Sequence, residues 1–365
     1  VTLSPDLSER ILVVLELSGG NDGLNTVVPY ADDEYYRLRP KIGIRRQNLL
    51  VLDERFGLNK GMVGMEKLWQ AGQLAIIHGV GYPQPSFSHF NSMAYWHTAA
   101  PNSGASYGWM GRLADGLLPP GTKTPIVNVD ATQSLAVRAR EHVPVVFDDP
   151  RRFVPKGPRY TRTLDARHPN PSRAFLVDVA RSAEEASQQV RAAWREYDSS
   201  VDYGLIDLDL RKIAALIEAR LPTRLYYTSF RDNAFDTHVY QPNLHGRLLT
   251  YFSDAVYGFH QDLERMGRSQ DVLLIVFSEF GRRAGENANL GTDHGTASVM
   301  FAMGSEVAGG HHGAPPSLTK LDDTENLVFT VDFRQVLASA MGGWLGYPNA
   351  SEVLGGNFPA LNLFV

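Results

Sequence analysis

The sequence predicts an α/β fold, a largely parallel sheet sandwiched between helices, with insertions. Three observations predict it. Short, fully apolar runs end at turn residues, as buried strands do; the stretches between several of them carry apolar residues at helical spacing; and the alternation continues along the chain with no repeat of fixed period. Alternating strands and helices with short connections give a parallel sheet covered on both faces.

Ile11 to Leu17 is an aliphatic run feeding Ser18-Gly19-Gly20-Asn21-Asp22-Gly23, which reads as a central strand and a turn. Met62 to Gln73 ("MVGMEKLWQAGQ") has helical spacing, and Leu74 to His78 is a second buried strand ending at Gly79-Val80-Gly81. His89 to His97 and Gly108 to Leu118 are short helices; Ile126 to Val129 and Val145 to Phe147 are strands. From Asp148 to Ser172 the chain is rich in Arg, Pro and polar residues without a period, an insertion or long loop within a single domain over residues 1–365. Ser172 to Ser199 and Leu205 to Arg220 are long surface helices, Leu225 to Phe230 is a strand, and Leu244 to Met266 is a helix. Val272 to Phe277 and Ser298 to Met303 are strands, and Asp332 to Leu345 is a closing amphipathic helix, with Asp332 and Arg334 structural.

Composition narrows the function. At 43% hydrophobic and 21% charged residues the chain is a folded protein, and a net charge of -5 provides no basic footprint for nucleic acid. Its longest apolar runs are far below the roughly 20 residues that cross a bilayer. With no cysteine, thiolate nucleophiles and thiolate ligands are excluded, so a metal would be held by His, Asp, Glu, Asn or water. The chain begins at Val1 with no signal peptide in view, so a mature or trimmed form is expected.

In a parallel sheet the ligand site lies beyond the carboxyl ends of the strands. The residues that follow the predicted strands are Asn21 and Asp22, then Ser86, Ser88 and His89, then Asp236 and His238, then Glu279; His294 precedes the strand from Ser298. Carboxylates, imidazoles and a hydroxyl on one edge suit transfer or hydrolysis of a phosphoryl or sulfuryl group. A divalent ion offsets charge on the transferred oxygens, and a serine supplies the hydroxyl. Arg282 and Arg283 would stand near such a site as a fork for an anion.

The blocks "LVVLELSGGNDGLNTVVPY", "LDERFGLNKGM", "VGYPQPSFSHFNSMAYW", "FDTH", "IVFSEFGRR" and "GTDHGTASVMF" occur in order over nearly the whole chain. They resemble a bacterial, typically exported family catalogued as domain of unknown function 1501, placed in the alkaline phosphatase-like and sulfatase-like superfamily. The resemblance implies a metal-dependent hydrolase of phosphate or sulfate esters acting on a small-molecule or carbohydrate ester. It also implies a periplasmic or secreted location, reached by a twin-arginine signal that this chain would have lost. Carried over residue by residue, Ser88 or else Ser86 falls in the nucleophile segment. Asp236, His238 and His294 resemble one metal site, best suited to zinc. Asp22 and Glu279, with Asn21 as a further oxygen donor, would form a second site suited to magnesium, calcium or manganese. Phe280 stands where a second ligand is expected, which opens two other readings: a single ion, or a binding protein that keeps the fold without catalysis. A phosphomutase-like transferase is the enzymatic alternative.

Each segment also has a plainer reading. Gly-Gly-Asn-Asp-Gly is turn-forming, Ser88 is a helix cap, and Glu279 pairs with Arg282 or Arg283 at the surface. Asp293 would orient the His294 imidazole. His311 and His312 either line the pocket or are solvated, and His78 has no site role.

Overall fold

The computed structural model describes residues 7–154 and 170–365. Its strands are β1 (Ile11–Leu17), β2 (Val27–Val28), β3 (Leu49–Val51), β4 (Gly57–Asn59), β5 (Leu74–Gly81), β6 (Ile126–Val129), β7 (Val145–Phe147), β8 (Leu225–Phe230), β9 (Val272–Phe277), β10 (Ser298–Met303), β11 (Gly310–His312) and β12 (Val331–Asp332). The helices are α1 (Gly23–Thr26), α2 (Asp33–Leu38), α3 (Val63–Gln70), α4 (His89–Thr98), α5 (Trp109–Leu117), α6 (Pro171–Glu196), α7 (Leu210–Glu218), α8 (Gln241–Arg265), α9 (Phe333–Ala338) and α10 (Ala350–Leu354).

A nine-stranded sheet runs in the order β11-β5-β10-β9-β1-β8-β6-β7, with β12 also paired to β5. The pairings β1 with β8 and β9, and β6 with β7 and β8, are parallel, while β10 lies antiparallel between β5 and β9. That one reversal matters to the site. The start of β10, rather than its end, lies at the carboxyl edge of the sheet, so the loop before Ser298 arrives there together with the loops after β1, β8 and β9.

β1 is buried along its whole length because helices cover both faces. Ile11, Val13, Leu15 and Leu17 join one core with α3, α7 and α8; Leu12 and Val14 join the other with α4, α5 and α9. Alternate side chains of a strand point to opposite faces, so a strand buried on both reads as a run that is apolar but for Glu16, whose carboxylate is paired with His97.

Several boundaries differ from the sequence reading for local reasons. α7 starts at Leu210 instead of Leu205, because Leu208 and Asp209 hold left-handed backbone (φ 50° and 62°) that a helix cannot include. The closing helix is regular over α9, capped by Asp332 in a reciprocal pairing with Gln335, and then widens into a π-helical turn over Ser339–Trp344. The small antiparallel sheet β2-β4-β3 was not read, its strands being too short for periodicity to register. Much of the insertion expected over 148–172 lies outside the described residues.

Against the main sheet, α2 is anchored by a buried ion pair. Arg39 Nη1 donates to Asp22 Oδ2 at 2.6 Å and to Asn25 Oδ1 at 2.7 Å, while its other nitrogens donate to the carbonyls of Ala284 and Arg283. Burial raises the Asp22 carboxyl pKa, but the Arg39 guanidinium outweighs it and the net direction is down. A folded-state pKa below the unfolded one contributes stability above about pH 4 that is lost as pH falls further. Arg39→Leu leaves a buried carboxylate unpaired and is predicted to lower unfolding free energy in urea by about 3–5 kcal/mol. A loss below about 1 kcal/mol, the scale of a surface pair, would contradict this.

Candidate metal centre

Three segments deliver the donors. His89 is the first residue of α4, Asp236 and His238 lie in the loop after β8, and His294 lies in the loop that leads into β10. One ligand atom from each of His89, Asp236 and His294 lies within 4.8 Å of the others. His238 adjoins them, its Nε2 standing 2.9 Å from Asp236 Oδ1 and 3.0 Å from His294 Nε2.

Hydrogen-bond partners fix the three imidazole tautomers. His294 Nδ1 donates to the Phe87 carbonyl at 2.7 Å, His89 Nδ1 to Glu279 Oε1 at 2.7 Å, and His238 Nδ1 to Asp293 Oδ1 at 3.2 Å. Each acceptor favours the proton on Nδ1, so each ring, when neutral, offers its Nε2 as a ligand atom. Those atoms converge on a carboxylate: His294 Nε2 is 3.1 Å from Asp236 Oδ1, and His89 Nε2 is 3.5 Å from Asp236 Oδ2. His89 Nε2 is buried and has no hydrogen-bond partner among the described residues. Nε2 atoms this close to a carboxylate and to one another are held together by a shared proton or by a cation. Imidazole and carboxylate donors whose far nitrogens are held by carboxylates or a carbonyl are the set that borderline divalent ions, zinc above all, accept. The residues present fit such an ion.

Burial raises the Asp236 carboxyl, but the Arg282 guanidinium and the imidazoles beside it outweigh that and bring its pKa to about 2, so it is an anion throughout the neutral range. The His89 imidazole is shifted up, first by its bond to Glu279, whereas burial shifts His294 down.

The support beneath these ligands is a pair of buried charges on opposite sides of one turn. Glu279, wholly buried, accepts from the backbone N–H of Gly19 and Gly20 and from Ser278 Oγ as well as from His89. Arg282, also buried, donates to the carbonyls of Gly19, Gly20, Phe235 and Thr292 and to Asp236 Oδ1 at 2.7 Å. Gly19 (φ +117°) and Gly20 (φ +73°) are required here: a Cβ on Gly19 would meet Asp236 N at 2.5 Å, and one on Gly20 the Phe280 ring at 2.3 Å. That ring packs against His89 and His294, with centroids 4.8 and 4.6 Å apart, and walls off the cluster from behind.

The residues read from sequence therefore separate. Asp236, His238 and His294 meet, and Ser88 caps α4 beside His89, accepting from Asn91 N at 3.5 Å, with Ser86 Oγ accepting from Ser88 N at 3.2 Å. Asn21 and Asp22 do not join them. Asn21 Oδ1 accepts from His245 Nε2 and Thr26 Oγ1, while Asp22 caps α1 and is held by Arg39 and Gln241. The oxygen-rich second site is not assembled, because these oxygens already carry protein hydrogen bonds. Glu279 stands one bond behind the cluster, orienting His89. Arg282 is no anion fork, since its donors point at backbone carbonyls and Asp236. Asp293 orients His238, and a backbone carbonyl orients His294. His89 was missed as a ligand; its only sequence signal was a histidine at a helix start on the carboxyl edge.

The model of the family described as "Protein of unknown function (DUF1501)" matches residues 9–344. The chain belongs to the DUF1501 family. No curated protein matches it. Among solved structures this DUF1501 chain is similar to the C-terminal periplasmic domain of EcEptC from Escherichia coli in complex with Zn, at 11% identity and a TM-score of 0.38, over 81% of this chain and 73% of that one. It is also similar to the lipoteichoic acid synthase LtaP from Listeria monocytogenes, at 9% identity and a TM-score of 0.36 over 84% and 66%. A third likeness is to the phosphonate monoester hydrolase SpPMH from Silicibacter pomeroyi, at 10% identity and a TM-score of 0.32 over 95% and 77%. At these values the likeness brings neither a superfamily nor residue roles to this chain.

In this DUF1501 chain, Glu279→Gln is predicted to weaken zinc binding about 10–100-fold in a competitive chelator titration, because the amide no longer fixes His89. Asp22→Asn should leave zinc affinity unchanged. Equal losses in the two variants would place Asp22 among the ligands.

Proposed function

We propose that the protein is a metal-dependent hydrolase of phosphate or sulfate esters that works with a single divalent ion, zinc, held by His89, Asp236 and His294 with His238 beside them. The observation that carries this reading is the convergence of three imidazole Nε2 atoms on Asp236 at the carboxyl edge of the sheet. One ion is proposed instead of two because Asn21, Asp22 and Glu279 are bound within the protein. When bound, the ion supplies charge for the transferred oxygens and activation for a nucleophile.

The chain's own residues supply the rest. Ser88 places an exposed hydroxyl at the start of α4, where the unpaired backbone N–H groups of the first helical turn favour an anion. Ser86 steadies that segment by accepting from Ser88 N. Arg282 keeps Asp236 ionised and in place, and Phe280 excludes water from the rear of the imidazoles. A periplasmic or secreted location belongs to this proposal through the family resemblance alone, and fractionation of the native host would check it.

The test is turnover of p-nitrophenyl phosphate, bis(p-nitrophenyl) phosphate and p-nitrophenyl sulfate by zinc-loaded protein. Ser88→Ala is predicted to reduce the rate on the accepted ester by at least about a thousandfold with zinc content unchanged. An unchanged rate would move the nucleophile to Ser86 or to water. Zinc-loaded wild-type protein inert on all three esters would favour the binding protein without catalysis.

A further inference from the structure

A second arrangement of histidines lies apart from the metal cluster, beneath the small β2-β4-β3 sheet. A cavity of about 660 Å3 opens there, lined by His78 of β5 together with Asp32, Asp33, Arg55, Phe56 and Ser298. None of the four residues of the metal cluster lines it. Its volume falls within the roughly 300–1,000 Å3 of small-molecule sites.

A relay leads into it. Asp53 Oδ1 accepts from the backbone N–H groups of Arg55 and Phe56, leaving Oδ2 to face His311 Nε2 at 3.1 Å, close though off the ideal line. The carboxylate favours the proton on that nitrogen, so His311 Nδ1 is an acceptor, and it stands 2.8 Å from His78 Nε2. His78 Nε2 is then the donor and His78 Nδ1 the bare lone pair. The hydrogen bond to His311 engages Nε2, and His78, only 3% exposed, lines the cavity. Burial, reinforced by His311, lowers the His78 pKa to about 3, so the ring stays neutral. Packed histidines are by themselves an ordinary core feature. Here the relay fixes the tautomer and leaves an acceptor on a residue that lines a cavity.

We propose that this cavity binds a small neutral polyhydroxylated ligand, a mono- or disaccharide, with a hydroxyl donating to His78 Nδ1. Three features of the lining select that class. The acceptors, His78 Nδ1 and the carboxylates of Asp32 and Asp33, call for a ligand rich in donors. Arg55, whose guanidinium lies 5.2 Å from the centre of the Phe56 ring, opposes a cation and can donate to sugar oxygens. Phe56, buried with its ring against His78 and His311, adds apolar lining that suits the C–H groups of a sugar. A metal ion is disfavoured because the three-ligand group of His89, Asp236 and His294 lies elsewhere.

The test is saturation-transfer NMR and calorimetric titration of the full chain with glucose, galactose, N-acetylglucosamine and cellobiose. At least one should saturate at millimolar concentration or below. His78→Leu should weaken it about tenfold or more, the scale of one lost buried hydrogen bond, whereas His78→Asn keeps an acceptor near the Nδ1 position and should restore most of the affinity. Two exposed variants, Asp33→Ala and Thr319→Trp at the rim, keep the question answerable if His78→Leu does not fold, and both should weaken binding. The proposal is overturned if no sugar of the panel saturates, or if folded His78→Leu, or both rim variants, bind as the wild type does. Because binding is read without turnover, the result stands apart from the hydrolase reading.

Discussion

Everything at the carboxyl edge depends on how the turn after β1 is held. Its two glycines present N–H groups on one side to Glu279 and carbonyls on the other to Arg282, two buried charges of opposite sign. Glu279 reaches from there to His89, and Arg282 reaches to Asp236. A single turn thus sets the separation between ligands that come from α4 and from the loop after β8. Buried ions are expensive to desolvate and are tolerated only when their hydrogen-bonding capacity is met, as it is here. The rigidity that results suits a site whose donors must be positioned before any cation arrives.

Polarity is arranged in layers around that turn. Nearest the convergence point are Nε2 atoms and Asp236; behind them lie Glu279, Asp293 and the Phe87 carbonyl, each fixing a tautomer. Phe280 packs against both His89 and His294, whose rings meet each other edge to face, where a polar residue would compete for the same Nε2 atoms. The family resemblance made this ring look like a missing ligand. In the fold it is an apolar wall against which the imidazoles of His89 and His294 pack.

The sheet was legible because strands buried on both faces are largely apolar runs: β1, β6, β7, β8, β9 and β10 coincide with the runs read from sequence. Asp236, His238 and His294 were legible because polar residues at the ends of such strands have few structural reasons to be there. Asp22 misled for a physical reason. Its partner Arg39 lies on a separate short helix, and no spacing rule connects the two. His89 was hidden by its neighbour, since a serine before a helix reads as a cap and the residue after it as mere helix. The role of Glu279 depended on which way one imidazole faces, which only three dimensions show. The reversal of β10, which brings His294 to the edge, likewise leaves no trace in its apolar pattern.

The most direct test of the account is a crystal structure of the zinc-loaded protein with anomalous data collected at the zinc edge. One peak per chain is predicted, bound by His89 Nε2, His294 Nε2 and Asp236 at about 2.0–2.2 Å. Two peaks, or a single peak at Asn21 and Asp22, would contradict it, as would a cluster with no zinc at all.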